Sequence, residues 1–229
     1  MINGQQLVSL LNSLGKDNIF HANTASTAIS YIRTGGLKSR RFVVQNPQRC
    51  YQPFQNSDKL DREFNIDNDI FFDVENIWQL GRICFYGPVV FQYRTAVLSN
   101  LENITISRCN PSNWINLPEE ERYYPCIEDV CTDLQTQGEI WPIGKHIILH
   151  DQENLEFQFL EKIILYMPPR CGDLSNIEVR NNPQGAYEDL RTACVTANIP
   201  FEERLMHLNV WQGIRSVGRF YGFSMIVPR

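Results

Sequence analysis

The segment Phe20–Arg41, FHANTASTAISYIRTGGLKSRR, constrains the fold of this chain more than any other part of the sequence. Ile19 and Phe20 predict a short apolar strand, which ends on His21. A helical pattern follows directly, and a pair of glycines closes the segment. A histidine at the end of a strand, facing the glycine exit, predicts a small cleft at this place.

The helical part of this segment carries its own start and stop signals. Thr24 or Ser26 can cap the helix, because a side-chain oxygen at that position accepts a hydrogen bond from a free backbone N–H. Gly35 can end it in the left-handed conformation, and Gly36 allows a sharp turn into Leu37. The apolar residues that recur at helical spacing, and so predict one buried face, are Ala25, Ala28, Ile29 and Ile32.

The rest of the pattern predicts one domain over residues 1–229, since no Pro/Gly/Ser-rich linker divides the sequence. Further helices are predicted at Ile2–Leu14, Glu128–Gln137 and Tyr187–Ala197. Strands are predicted at Arg41–Val44, Asp69–Val74, Pro88–Tyr93, Asn103–Ser107, Lys145–Leu149, Phe159–Tyr166, Asn176–Val179, Met206–Trp211 and Arg219–Val227. The polar stretch Gln45–Ser57 is typical of a surface loop that covers a binding site. This order predicts an α+β fold with split, mainly antiparallel sheets and flanking helices.

The charge of the chain limits its partners. A net charge of −5 and a pI near 5.4 argue against a protein that coats duplex DNA, because nonspecific affinity comes mainly from Lys and Arg. Lys38, Arg40 and Arg41 form a local basic cluster beside the cleft, and both a solvated surface patch and a phosphate contact remain open for it. No long apolar run and no signal-peptide pattern occurs, so we expect a cytoplasmic protein without membrane contact.

The cysteines and the nucleotide motifs exclude several classes of site. Seven cysteines at wide, irregular spacings predict reduced thiols rather than a disulfide framework. Cys126 and Cys131 can be combined with His146 and His150 into a zinc site, but the CxxC spacing is missing, so no metal is predicted. GxxxxGK, GxGxxG and GxSxG are absent, which gives no support to a P-loop nucleotidase, a Rossmann dehydrogenase or a serine hydrolase.

Three stretches of the sequence resemble the DarT-type ADP-ribosyltransferase toxins, which modify nucleic-acid bases. The first runs from Phe20 to Leu37 and has an aromatic, a His, a small polar residue two positions on, a helix and Gly-Gly-Leu. The second is LEKIILYMPPR, in which Glu161 opens a run of aliphatic residues that stops at a proline. The third, AYEDLRTACVTANIPFEERLMHLNVW, is typical of a helix, a loop and a last strand ending on Trp211. The resemblance covers roughly residues 18–211.

The resemblance implies an NAD-dependent mono-ADP-ribosyltransferase, with NAD as its substrate. Loss of nicotinamide leaves a ribose with oxocarbenium character, which a carboxylate beneath the sugar stabilises. Glu161 is expected to supply that carboxylate and to take a proton from the nucleophile, with Glu156 and Glu153 as alternatives. The implied acceptor is a base in single-stranded DNA or RNA, because a paired base hides its attackable atoms in the stack. The resemblance also implies an antitoxin protein as partner.

The resemblance also implies a set of residues that hold NAD. His21 and Asn23 are expected to contact the nicotinamide ribose or the carboxamide, while Thr27 stands where the family usually has an Asn. Arg62 is assigned to the NAD phosphates, with Arg40 and Arg49 as competitors, because a guanidinium matches two phosphate oxygens. The residues expected around NAD are His21, Asn23, Thr27, Gly36, Leu37, Arg40 and Phe71. The aromatics available for stacking are Tyr51, Phe54, Phe71 and Tyr93.

Two other functions remain open on the sequence alone. One is a catalytically silent member of this fold that binds a nucleotide or a protein. The other is an RNA phosphotransferase of related fold, which also has a His and a Gly-Leu opening but depends on basic residues rather than on a strand Glu.

Overall fold

The computed structural model describes residues 1–53, 55, 57–82, 84, 86–136, 141, 144–167, 183–207 and 209–210. Within these ranges the helices α1 to α7 span Gly4–Ser13, Ala25–Thr34, Arg40–Gln45, Asp58–Glu63, Glu119–Arg122, Ile127–Thr136 and Pro183–Thr196. The strands β1 to β9 span Asn18–Asn23, Gly36–Lys38, Ile70–Phe72, Val89–Arg94, Ile104–Ile106, Ile147–Leu149, Asn154–Glu156, Leu160–Met167 and Phe201–Leu205. Short 3-10 helices span Thr95–Asn100, Pro111–Asn116 and Phe157–Phe159.

The strands form three separate sheets. The largest has the order β1-β4-β8-β9, the second has the order β3-β6-β5, and β2 pairs with β7 alone. Every pairing between these strands is antiparallel except that of β8 with β9. The predicted α+β class, with split and mainly antiparallel sheets and flanking helices, is confirmed.

The strand, helix and glycine exit predicted around His21 form as β1, α2 and the start of β2. Thr24 caps α2 by accepting a hydrogen bond from the backbone N–H of Thr27 at 3.2 Å, and Gly35 ends the helix with φ of 76°. Gly36 begins β2, where a Cβ atom would lie 2.4 Å from Oδ1 of Asn154. Only glycine therefore lets β2 lie this close to β7.

The main core lies on the face of the largest sheet against which α2 packs, and α7 packs on α2 in turn. Tyr31 of α2 and Phe157 both contact the ring of Phe91, with centroids 6.3 Å and 6.0 Å away. A smaller core cluster around Ile66, Trp114 and Ile148 lies at the second sheet. Burial of this apolar surface fixes the relative position of β1, β4 and β8, which carry the candidate site.

The structure corrects two predicted strands. Residues Arg41–Val44 belong to helix α3 instead, because Ser39 caps it by accepting from the N–H of Phe42 at 3.2 Å. The last predicted strand, Met206–Trp211, is replaced by Phe201–Leu205, and residues 206, 207, 209 and 210 are not in a strand. The predicted strands at Asn176–Val179 and Arg219–Val227 lie outside the described residues.

Within the described ranges, no helix combines the length and the apolar character that a bilayer crossing requires. The six cysteines in these ranges are free thiols. Nor does this part of the chain bring three His, Cys, Asp or Glu side chains together as metal ligands. The two histidines considered for zinc each contact an aspartate, with His146 beside Asp73 and His150 beside Asp69.

Candidate active site

The largest sheet has two faces with different chemistry. Across β1 and β4, His21 pairs with Phe91, and Phe20 pairs with Gln92. Side chains alternate along a strand and cross-strand partners share a face, so His21 and Phe20 lie on opposite faces. We call them the His21 face, which carries His21 and Phe91, and the Glu161 face, which carries Phe20, Gln92 and Glu161.

On the His21 face, the imidazole is fully engaged within the protein. Nδ1 donates to the carbonyl oxygen of Phe71 at 2.8 Å, which leaves Nε2 to accept from Nδ2 of Asn23 at 2.9 Å. The ring packs against Phe72 and Phe91, with centroids 6.0 Å and 6.3 Å away. Burial lowers the pKa of His21, against the opposing effects of the Phe71 carbonyl and of Asp73. The ring is therefore neutral at pH 7 and has no ring nitrogen left for a ligand.

The other small residues predicted to contact NAD lie beneath the surface. Asn23 is 1% exposed, and among the described residues its Oδ1 has no hydrogen-bond partner. Thr27 is fully buried and hydrogen-bonds to Thr24 at 2.9 Å, while Leu37 is buried in the core. Gly36 contacts β7 through its backbone. These residues fix the junction between β1, α2 and β2.

On the Glu161 face, a bulge in β8 presents the candidate catalytic carboxylate. Gln92 pairs with Lys162 and Tyr93 pairs with Leu160, so Glu161 is the extra residue between them. Oε2 of Glu161 accepts a hydrogen bond from Nε2 of Gln92 at 2.7 Å. Because Gln92 is only 8% exposed, its amide is held in place and orients the half-buried carboxylate.

The cation next to Glu161 has another partner. Nζ of Lys162 lies 2.6 Å from a carboxylate oxygen of Glu202, whose other oxygen accepts from Nε of Arg204 at 2.6 Å. Arg204 and Lys162 together hold the pKa of Glu202 at about 2. Glu161 itself makes no ion pair within the described part of the chain. Its negative charge is therefore available to a cationic transition state.

The edge of β1 offers a backbone donor and acceptor beside this face. Phe20 and Asp73 exchange two backbone hydrogen bonds, of 2.8 Å and 2.9 Å, across that edge. In an antiparallel ladder the direction of the backbone groups alternates, so the N–H and C=O of Ala22 point toward the same edge. Among the described residues neither group has a backbone hydrogen-bond partner at that edge. A carboxamide carries the complementary donor and acceptor.

Arg40 ties the loop before α4 to α3. Its Nη2 donates to Oδ2 of Asp58 at 2.5 Å, and Nη1 donates to the carbonyl oxygens of Gln52 and Pro53 at 3.1 Å and 3.2 Å. Nε of Arg40 is buried and has no acceptor among the described residues. The segment predicted as a covering loop is thus anchored by this side chain.

Two other arginines lie close to Arg40. Arg41 donates through Nε and Nη2 to Asp67, at 3.3 Å and 2.6 Å. Arg62 is exposed, and its guanidinium has no partner in the described part of the chain. Arg49, the other competitor to Arg62 for the NAD phosphates, does not line the pocket that these side chains form. This arginine pocket, of about 290 Å³, is lined by Arg40, Arg41, Val44, Gln45, Arg62 and Asp67.

The predicted stacking aromatics are distributed over several places. Phe71 is half-buried in β3, and its ring lies edge-on to His146 with centroids 6.2 Å apart. Tyr93 is fully buried, and Tyr51 is half-buried with its N–H donating to Oγ of Ser30 at 2.7 Å. Phe54 lies outside the described residues.

A second pocket, of about 500 Å³, lies between the end of α2, residues 156–160 and the turn before β9. Its lining includes Glu156, which is exposed, but not Glu161. Glu153, the other alternative carboxylate, lies at β2, where its carbonyl accepts from the N–H of Ser39 at 3.1 Å. Neither alternative lies on a strand of the sheet that carries Phe20, Gln92 and Glu161.

Sequence reasoning missed three members of the candidate site: Phe20 as a side chain, Ala22 as backbone and Gln92. A signal existed for Gln92, because it is the one uncharged polar residue in the strand VVFQYR apart from Tyr93. A buried amide in such a strand needs a partner. Phe20 and Ala22 could be assigned only from the pairing register.

No protein-family model matches this sequence, and no curated protein matches it. Among solved structures, the chain is similar to DarT of Thermus sp. 2.9 in complex with ADP-ribosylated ssDNA, with 10% identity and a TM-score of 0.49 over 86% of this chain and 96% of that one. The complex of the same protein with NAD+ gives 10% identity and a TM-score of 0.47 over 82% and 96%. Its complex with carba-NAD+ gives 9% and 0.47 over 86% and 98%.

Proposed function

We propose that this chain is an NAD-dependent mono-ADP-ribosyltransferase, built as a single ADP-ribosyltransferase-like domain over residues 1–229. The observation that carries the proposal is the carboxylate of Glu161, which has no ion-pair partner in the described ranges and is oriented by Gln92 at 2.7 Å. A rigid strand bulge holds this group on the same face of the sheet as Phe20, with Gln92 of β4 between them. Such a fixed negative charge suits a reaction that develops positive charge on a sugar.

The Glu161 face accounts for the binding of the nicotinamide half of NAD. The ring of Phe20 is half-buried and offers an apolar surface for the pyridinium. The edge N–H and C=O of Ala22 match the carboxamide, which makes the main chain next to His21, rather than the imidazole, the contact. His21, Asn23, Thr27 and the Gly36-Leu37 turn act by holding β1 in place.

The reaction follows from this arrangement. The bond between ribose C1′ and the pyridinium nitrogen breaks, and its electron pair stays with nicotinamide, which leaves as a neutral molecule. Glu161 stabilises the oxocarbenium-like ribose and accepts a hydrogen bond from its 2′-hydroxyl. The acceptor attacks C1′ with a nitrogen or oxygen lone pair, and Glu161 takes the proton that the acceptor loses.

The acceptor in this proposal is a base in single-stranded nucleic acid, DNA or RNA. An unpaired base exposes its ring nitrogens, whereas a duplex hides them and demands more positive charge than this chain carries. Cytoplasmic action of such an enzyme as a toxin requires a neutralising antitoxin protein, which we propose as its partner. Phe71 and Tyr51, both half-buried, are the described aromatics from the predicted set that can contribute to stacking.

Incubation with NAD labelled in the adenylate moiety, together with short single-stranded DNA and RNA oligonucleotides, tests the proposal. We expect label on one of the two polymers and release of one nicotinamide per transfer. Glu161→Ala should abolish the transfer while circular dichroism shows the folded protein. Transfer by this variant at the wild-type rate would show that the Glu161 assignment is wrong.

Two further results of the same assay would support the other functions. NAD that binds without being consumed would indicate a catalytically silent nucleotide-binding module. Removal of a terminal phosphate from RNA in the presence of NAD would indicate an RNA phosphotransferase. Both results contradict the proposed transfer to a base.

A further inference from the structure

We propose that Thr105, His150 and Asp69 form a second reactive site, in which the threonine hydroxyl is a nucleophile for an activated acyl group. These three residues are termed the Thr105 triad. The site is independent of the proposed ADP-ribosyl transfer, because it lies at the second sheet, β3-β6-β5, and shares no residue with the Glu161 face.

The hydrogen bonds of the Thr105 triad run in the order that nucleophilic catalysis requires. Oγ1 of Thr105 lies 2.7 Å from Nε2 of His150, and Nδ1 of the same ring lies 2.7 Å from Oδ2 of Asp69. An ionised carboxylate only accepts hydrogen bonds, so Nδ1 carries the ring proton and Nε2 accepts from the threonine hydroxyl. The nucleophile, the base and the group that orients the base are therefore all in place.

The surrounding contacts hold the base in one orientation. The side chain of Asp69 is 3% exposed, and its second oxygen accepts from the backbone N–H of Asp151 at 3.1 Å. The backbone N–H of His150 donates to the carbonyl oxygen of Asn103 at 3.0 Å, which fixes the main chain of the histidine. The ring of Tyr123 lies edge-on to the imidazole, with centroids 5.7 Å apart. The triad is thus preorganised before any substrate binds.

The other two described histidines with ring hydrogen bonds lack a nucleophile at the same position. Nε2 of His21 is bonded to Nδ2 of Asn23, and Nε2 of His146 lies 3.3 Å from Nδ2 of Asn110. An amide nitrogen is a poor nucleophile because its lone pair is delocalised into the carbonyl group. Among the described residues, only His150 places a ring nitrogen against a hydroxyl group.

The reactive end of the triad is accessible to a small molecule. The side chain of His150 is 24% exposed, and Thr105 is half-buried. Residues 102 and 103, which precede the threonine, are exposed. A small acyl donor can therefore reach the base and the hydroxyl, whereas the orienting carboxylate is shielded from water.

The backbone around Thr105 indicates which acyl donors suit the site. The N–H of Ser107 donates to the carbonyl oxygen of His146 across the ladder between β5 and β6. Hydrogen-bonded pairs recur at every second residue, so the N–H of Thr105 is bonded to its partner Ile148. It cannot stabilise an oxyanion, as the N–H of the nucleophile does in serine proteases. The site therefore suits donors with a readily departing leaving group, such as thioesters and aryl esters.

The reaction needs no cofactor. Oγ1 of Thr105 attacks the carbonyl carbon of the donor while its proton passes to Nε2 of His150. The bond from that carbon to the leaving oxygen or sulfur breaks, and its electron pair and the proton from His150 go to the leaving group. Water then attacks the acyl-threonine, and His150 transfers a proton from the water to Oγ1. The products are a carboxylic acid and the regenerated hydroxyl.

The test follows acylation of the full chain by p-nitrophenyl acetate. Nitrophenolate release is measured by absorbance, and samples quenched in acid are digested and analysed by mass spectrometry for acetyl-Thr105. The variants are Thr105→Val, which removes the hydroxyl but keeps the shape, Thr105→Ser, which keeps a hydroxyl, and His150→Gln. His207→Gln is the matched control, because His207 is an exposed histidine outside the triad whose imidazole can also react with the ester.

We expect acetyl-Thr105 in the wild type and in His207→Gln. Thr105→Val should lose the acetyl group at this position, and Thr105→Ser should retain it. His150→Gln should slow acylation about 10²-fold, which is a typical contribution of a general base. Glu161→Ala should be acylated at the wild-type rate, because the Thr105 triad does not depend on the proposed ADP-ribosyl transfer.

The proposal is overturned if the wild type carries no acetyl group on Thr105, or if His150→Gln is acylated there as fast as His207→Gln. Failure of Thr105→Ser to form the acetyl ester, in a protein that melts like wild type, also overturns it. None of these results affects the transfer of ADP-ribose, whose dependence on Glu161 is measured separately.

Discussion

Each of the two faces of the largest sheet carries an ionisable side chain, His21 or Glu161, and the two differ in how much of their hydrogen-bonding capacity is used by protein partners. On the His21 face, both ring nitrogens of His21 have protein partners, at 2.8 Å and 2.9 Å. On the Glu161 face, the carboxylate of Glu161 accepts one hydrogen bond from Gln92, and the adjacent Lys162 is paired elsewhere. The first group is saturated and rigid, whereas the second keeps free lone pairs and its charge.

This difference shows that the chemical type of a residue does not by itself predict its role. A histidine is often the reactive group of a cleft, but here its hydrogen-bonding capacity is used to join β1 to β3 through Phe71. A strand glutamate is often only a solvated side chain, but here a bulge and a buried amide give it one orientation. We therefore expect substitutions on the His21 face to change stability and substitutions on the Glu161 face to change activity.

The largest expected effect is that of Glu161→Gln on the transfer rate. Loss of the negative charge should lower kcat by about 10²–10³, which is the cost of removing one preorganised group that stabilises the transition state. The free energy of unfolding should change by less than about 0.5 kcal/mol, as for other substitutions at sites that are not fully buried. Rapid-quench kinetics and urea unfolding measure the two quantities.

Glu156→Gln is the matched control for this prediction. Glu156 is an exposed carboxylate on β7, outside the Phe20–Gln92–Glu161 row. Its transfer rate should stay within twofold of wild type. If both variants lost the same share of the transfer rate, the position of Glu161 on the Glu161 face would not explain its effect.

The next largest effect is that of His21→Ala on stability. The change leaves the carbonyl of Phe71 and the amide of Asn23 without their partners and opens a cavity beside Phe72 and Phe91. We expect a loss of about 2–4 kcal/mol in the free energy of unfolding. Below the melting temperature of the variant, KM for NAD should change less than threefold.

His21 also makes the free energy of unfolding depend on pH. Burial lowers the pKa of His21 below its usual 6.5, so the folded state binds the proton more weakly than the unfolded state does. The stabilisation is complete above pH 6.5 and declines as the pH falls through that value. Urea titrations between pH 8 and pH 5 should show a smaller decline for His21→Ala, and an unchanged slope would contradict a buried neutral imidazole.

Gln92→Leu should have a smaller effect, on kcat alone. Leucine keeps most of the volume of the buried side chain but cannot donate to Oε2 of Glu161. A hydrogen bond to a charged group contributes about 1.5–3 kcal/mol, so kcat should fall about tenfold or more. KM for NAD should be unchanged, because the amide acts through the orientation of Glu161. A rise in KM without a fall in kcat would indicate a contact with NAD itself.

The parts of the fold that sequence predicted well are those with local signals. The cap at Thr24 and the left-handed Gly35 specify both ends of α2 within a few residues. The run LEKIILYM likewise specifies β8, since six of its residues belong to the main core or pack against it. The signals for their secondary structure lie within the segments themselves, so the pattern alone was sufficient to predict it.

The errors arose where tertiary contacts decide the structure. The β-branched pair in RFVV favours a strand, but Ser39 caps a helix there, and Arg40 and Arg41 are held by Asp58 and Asp67 from later in the chain. The charged segment FEERL lacks a strand pattern and becomes β9 because it pairs with β8. The residues in these contacts are far apart in the sequence, so a local sequence pattern cannot predict them.

The candidate site was predictable in its residues more than in its geometry. The choice of Glu161 came from the resemblance of LEKIILYMPPR to a catalytic strand that opens with a Glu, and in the structure the residue lies in β8 on the Glu161 face. The face of the sheet, however, depends on the register of β1 against β4 and on one bulge in β8. A shift of one residue would exchange the two faces, and no sequence signal fixed that register.

The smallest expected effect, that of Lys162→Gln, tests why the charge of Glu161 stays available. Lys162 is paired with Glu202, and Arg204 holds the same carboxylate, so the transfer rate at pH 7 should stay within twofold of wild type. Since Arg204 and Lys162 lower the pKa of Glu202 to about 2, their stabilisation is present above the usual value of 4.5 and is lost as the pH falls toward 2. The pair is partly exposed, so removing the lysine should cost only about 0.2–1 kcal/mol. A fall in transfer rate of tenfold or more would instead show that Lys162 acts directly on Glu161 or on NAD. In that case Lys162 would have to be added to the active-site residues of the Glu161 face.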